Sequence, residues 1–67
     1  MNTLSFNGEP LHSDAPDLQA LLLERGYEQG AAFACALNHV FVPRHHWPQQ
    51  ALRDGDRIDV VTPVTGG

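Results

Sequence analysis

The chain has 67 residues, one cysteine, and a net charge of −4 from eight acidic side chains against four arginines and no lysine. A single domain of this size buries only about 60% of its unfolded surface, and one cysteine excludes an internal disulfide, which fits a reducing compartment. The four arginines are scattered at Arg25, Arg44, Arg53 and Arg57, whereas a phosphate-backbone binder needs them clustered, so nucleic acid is not the expected partner.

The N-terminus, Met1 to Phe6, lacks the basic residue and apolar stretch of a signal peptide. No apolar run approaches the roughly 20 residues that span a bilayer. The expectation is a soluble cytoplasmic protein, without a membrane partner, whose acidic balance favours a basic protein partner over nucleic acid. Thr3-Leu4-Ser5-Phe6-Asn7 alternates polar and apolar, the period of a half-buried strand with Leu4 and Phe6 inward. Asn7-Gly8 supplies the two positive-φ residues of a tight type I′ turn, and a short return strand from Pro10 to about Ser13 completes a hairpin.

Asp14 to Gly26 reads as a helical segment. Asp17 is the favoured N-cap, with Asp14 as the alternative. Leu18, Leu21 and Leu22 recur at i, i+3 and i+4 as one apolar stripe. Gly26 is the expected left-handed C′ residue. A helix of about nine residues is marginal alone and must be held by a sheet.

Ala31 to Leu37 is apolar and ends at the turn residues Asn38-His39. It is read as a strand with Phe33, Cys35 and Leu37 inward and Ala32, Ala34 and Ala36 outward. Val40-Phe41-Val42 makes a short fourth strand that stops at Pro43. Pro43 to Gln50 holds two prolines, two adjacent histidines and the single tryptophan, and is read as an irregular or 3₁₀ turn with Trp47 at the edge of the core. Asp54-Gly55-Asp56 is a turn signal, Leu52 packs beneath it, and Arg57 to Thr62 is a last strand with Ile58 and Val60 inward. A hairpin, one helix and three further strands give an α+β arrangement. A final strand lying parallel beside the first makes it a β-grasp, ubiquitin-like fold: a mixed sheet of four to five strands packed on one helix, with residues 1–67 as one domain.

The strand pattern runs out at Pro63, which has no N–H to offer a ladder. Val64-Thr65-Gly66-Gly67 follows. Two residues without Cβ atoms read as a thin, flexible tail, residues 63–67, whose reactive group is the Gly67 carboxylate. Such a tail suits a channel that any side chain would block; an ordinary frayed terminus has the same composition. With no lysine, only the α-amino group on this protein can capture an activated acyl group as an amide.

Ala34-Cys35-Ala36-Leu37-Asn38, Phe41-Val42-Pro43-Arg44, Trp47, Asp54-Gly55-Asp56 and Gly66-Gly67 at these spacings resemble the bacterial sulfur carriers of thiamine biosynthesis, the ThiS family. The pattern runs without a gap from about Ala31 to Gly67. It fits the N-terminal half more loosely, with a connection about one residue short before the helix. The resemblance implies that the chain is a carrier, not an enzyme, and binds no cofactor or metal. An adenylating enzyme similar to ubiquitin-activating enzymes would use ATP and magnesium to make an acyl adenylate at Gly67. Sulfur drawn from a cysteine desulfurase would then leave a thiocarboxylate there for the thiazole synthase. Gly66, Thr65 and Val64 would enter the partner's active site.

On the outer sheet face, Ala34, Ala36 and Val61 are small or apolar where polar residues belong, so they are the candidate docking patch. Two other functions share the architecture: the small subunit of a molybdopterin synthase and a ubiquitin-like protein modifier. A passive β-grasp binding module is a further alternative. Cys35, between alanines on an inward face, reads as a small core hydrophobe rather than a persulfide relay. The histidines His12, His39, His45 and His46 lack the spacing and accompanying ligands of a zinc site. Asp54 and Asp56 read as turn residues, not a catalytic pair.

Overall fold

The computed structural model describes residues 1–28 and 30–62. Its first strand, β1 (Asn2–Phe6), turns back at Asn7 (φ 51°) and Gly8 (φ 85°) into β2 (Glu9–Ser13). Both central residues have positive φ, as a type I′ turn requires. The turn sets the register that pairs Phe6 with Glu9 and Leu4 with Leu11. Pro10 is opposite Ser5 in a strand at the sheet edge. Its missing N–H therefore faces outward and removes no ladder bond.

The helix α1 (Leu18–Glu24) is seven residues long, shorter than its sequence suggests. Asp17 is extended and its Oδ1 accepts the Ala20 N–H at 2.8 Å, which makes it the N-cap. Asp14 instead faces the α-amino group of Met1 at 3.2 Å. At the other end Gly26 takes φ 92°. The N–H groups of Gly26 and Tyr27 donate back to the carbonyls of Leu23 and Leu22, the paired bonds of a Schellman motif. Leu18, Leu21 and Leu22 are buried as one stripe.

Beyond the helix, β3 (Ala34–Leu37) and β4 (Val40–Val42) form a second hairpin around Asn38 (φ 52°) and His39 (φ 68°). A 3₁₀ helix over Arg44–Gln49 follows, and β5 (Arg57–Val61) ends the described strands. The sheet has five strands in the order β2-β1-β5-β3-β4. The last strand is central, parallel to β1 and antiparallel to β3. This is the mixed sheet of a β-grasp, with α1 across one face.

Leu4, Phe6, Cys35, Leu37, Val42 and Ile58 line the covered face and pack with the helix leucines, Ala15, Leu52 and Trp47. Val60 and Phe33 are half-buried against this core. Two expectations need correction. Trp47 is not at the core edge: it is 2% exposed, because the 3₁₀ turn points the indole inward and its Nε1–H donates to the Val42 carbonyl at 3.0 Å. That bond satisfies the ring's one polar group, so full burial carries little penalty. The third strand also begins at Ala34, not Ala31. The Ala31 and Phe33 carbonyls accept from Arg44 Nη2 at 2.6 and 3.3 Å, outside the ladder.

The Arg53–Asp56 turn is held by its own carboxylates. Asp54 Oδ1 accepts from Thr3 N at 2.6 Å, and Asp56 Oδ2 from Arg53 N at 2.8 Å. Gly55, at φ 90°, donates to the Thr3 carbonyl. Both aspartates thus serve the turn that the sequence assigns them to.

Candidate functional site: the open sheet face and the root of the tail

The helix covers one face of the sheet, and alternation assigns the other face to the intervening residues. Cys35, Leu37 and Ile58 point to the core, so Ala34, Ala36, Asp59 and Val61 point outward. Register then arranges them in rows: Ala34 opposite Val61, and Phe41, Ala36 and Asp59 side by side across three strands. Val61 is 65% exposed and Phe41 63% exposed. The three residues expected to form the patch therefore share one face, and Ala36 among them is half-buried.

Phe41, which the sequence assigns to the fourth strand but to neither of its faces, joins them. A two-residue turn at Asn38-His39 pairs Leu37 with Val40, which forces Phe41 opposite Ala36 and outward. The turn residues carry that signal. One ion pair, Arg57 Nε to Asp59 Oδ2 at 3.0 Å, borders the apolar group.

The same face contains the root of the tail. Val61 pairs with Ala34 in the last rung between β5 and β3. On the other flank, Val60 N–H donates to Asn7 Oδ1 at 2.8 Å, so the side chain of Asn7 extends the ladder beyond the end of β1. The central strand is thus gripped from both sides up to its final residue, and Thr62 beyond it is exposed. The expected tail residues Val64, Thr65, Gly66 and Gly67, with Pro63, lie outside the described residues.

Cys35 lies directly beneath this surface and is 1% exposed. Burial, and secondarily the Asp59 carboxylate, push its thiol up from the ordinary 9.0 to about 11. A thiol that stays protonated and out of solvent is a poor nucleophile, so the core reading of Cys35 holds. The rings of His45 and His46 meet edge to face, 4.2 Å between centroids. Among the described residues no group of three or more His, Cys, Asp or Glu side chains stands close enough to hold a metal ion. No helix among them is long and apolar enough to cross a membrane.

The central strand thus ends, at Val61, beside an open face that carries Ala34, Ala36 and Phe41. The family model for the ThiS family matches residues 4–67, from the first strand to the terminal glycine. The chain belongs to the ThiS family. Sulfur carrier protein ThiS of Escherichia coli (strain K12) is 34% identical over 62 residues, which covers 92% of this chain and 94% of that one. The crystal structure of the thiamine biosynthesis protein ThiS from Geobacter metallireducens superposes with a TM-score of 0.81 at 24% identity, covering 97% of this chain and 99% of its own. The ThiS likeness thus spans both halves, including the N-terminal hairpin and helix where sequence resemblance is weakest.

Proposed function

We propose that this chain is a sulfur carrier of thiamine biosynthesis and that Gly67 is the residue that bears the sulfur. The observation that carries the reading is the family match over residues 4–67, which includes Gly66 and Gly67, on a fold whose last described strand is central in the sheet. A carboxylate is a poor electrophile. An adenylating enzyme similar to ubiquitin-activating enzymes, using ATP and magnesium, converts it to an acyl adenylate with AMP as leaving group and pyrophosphate released. A sulfur nucleophile, supplied indirectly by a cysteine desulfurase, displaces AMP, and the thiazole synthase consumes the resulting thiocarboxylate. The carrier contributes no catalytic group.

Its contributions are a docking face and reach. Ala34, Ala36 and Val61, joined by Phe41, form the face that meets the partner enzymes. The five residues from Pro63 to Gly67 extend at most about 18 Å from Thr62, with Val64, Thr65 and Gly66 passing into the partner's site. Intact mass spectrometry tests the reading. After incubation with the adenylating enzyme, ATP, magnesium and a sulfur donor, the expected product has one oxygen exchanged for sulfur at Gly67. An unchanged mass, with the same enzyme thiolating its own carrier in parallel, overturns it.

A further inference from the structure

Arg44 lies at the end of the sheet from which the tail departs, yet nothing in the carrier chemistry uses it. Its guanidinium is 5.1 Å from the centroid of Phe33 and 5.0 Å from that of Trp47. These two rings are stacked at 5.0 Å with 20° between their planes. Its Nη2 also donates to the carbonyls of Ala31 and Phe33. Phe33 continues through Tyr27 to Phe6 as a file of tilted rings, with centroids 5.1 and 5.9 Å apart. One side chain thus clamps the segment entering β3 to the 3₁₀ helix and, through the rings, to β1. The next residue, Ala34, forms the last rung with Val61. Residues 31–33 make no ladder of their own, so the stability of that rung depends on what holds Phe33.

We propose that Arg44 is a positioning residue for the tail, bracing Phe33 so that the Ala34–Val61 rung stays closed and the chain leaves the sheet at a fixed point. The proposal rests on the carrier reading above. A planar guanidinium suits the task, since its face stacks on aromatic rings while its N–H groups donate in its own plane. Opening the last rung releases Val61 from the sheet and scatters the direction in which the chain leaves it. The docking face remains, but the Gly67 carboxylate meets the nucleotide less often in reacting geometry.

The test measures pyrophosphate release by the adenylating enzyme, with the carrier as varied substrate, together with residue-resolved amide exchange. For Arg44→Gln the expected result is a KM within about twofold of the parent and a kcat lower by about tenfold or more. Exchange should be faster at Ala34 and Val61 and unchanged at Leu4 and Phe6. Arg44→Lys keeps the charge but not the planar fork, and should remain defective. Phe33→Leu removes the ring under the cation and should reproduce the defect, which keeps the proposal testable if Arg44→Gln fails to fold. Recovery of kcat in Arg44→Lys, a rise in KM alone, or unchanged exchange at Ala34 and Val61 overturns it. Failure of the parent itself to be adenylated counts against the carrier reading, while the exchange measurement still decides the brace.

Discussion

Cys35 illustrates how one side chain's surroundings decide its chemistry. A thiol in water ionises near 9, but here burial first and Asp59 second hold it protonated until about 11. The unfolded chain therefore loses its thiol proton before the folded chain does. A group whose folded pKa is raised contributes its full stability below the unfolded value, and that contribution is lost as pH rises through the window from 9.0 to about 11. The span corresponds to a loss on the order of 1–3 kcal/mol, which matters in a domain whose total stability is small. Chemical denaturation across this range should show the parent losing stability steeply. Cys35→Ala, less stable at neutral pH because of its cavity, should lose much less over the same interval. Parallel pH profiles for the two proteins would remove the buried thiol from the account. The same burial explains why Cys35 was recognisable in the sequence as core: it alternates with alanines, and its neighbours on the same side are Phe33 and Leu37.

Among the elements, the turns are the best specified and also the least comfortable. Asn7-Gly8 places glycine at φ 85°, whereas the second hairpin places His39 at φ 68°. An L-residue in the left-handed region costs about 1–2 kcal/mol. The extra backbone entropy that glycine loses on folding is about 0.5–1 kcal/mol. The difference favours glycine, so His39→Gly should raise stability by about 0.5–1 kcal/mol, read as an upward shift of the denaturation midpoint with no change in slope. A lower midpoint would mean that the imidazole makes a contact worth more than the backbone strain. Element order, the leucine stripe and the first hairpin were legible because each rests on a local rule: two-residue periodicity, helical spacing, paired positive-φ residues. What was not legible is non-local. The Ala31–Phe33 segment looks like strand but is withheld from the ladder by Arg44, eleven to thirteen residues away. Trp47 looks like an edge residue until the 3₁₀ turn brings its Nε1 to the Val42 carbonyl. Phe41 could be placed only once the register of its hairpin was known.

At the scale of the whole molecule, the proposed function gives the body and the tail separable tasks, and each should be open to disabling alone. On the body, Ala36 sits between Phe41 and Asp59, so a glutamate there puts a second carboxylate into an apolar contact surface. Ala36→Glu should weaken binding to the adenylating enzyme by about tenfold or more, since burying an unpaired charge at an interface is costly. The thermal midpoint should hardly move, and an unchanged titration curve would take the open face out of the docking account. On the tail, the constraint is steric. A channel that admits two glycines must be narrow enough to keep water from the acyl adenylate, or hydrolysis would drain the intermediate before sulfur arrives. Gly66→Val adds a branched side chain that such a channel excludes, and one residue appended after Gly67 displaces the carboxylate from the α-phosphate by about 3.5 Å. Both variants should bind the adenylating enzyme with near-parental affinity, because the sheet face is untouched, and melt at the parental temperature. Both should fail to gain sulfur. Mass spectrometry beside a binding titration separates the two tasks: a variant that binds but is not thiolated places the specificity in the tail. Thiolation of either variant at the parental rate would mean that the channel does not discriminate by width, and the two glycines would lose their physical reason.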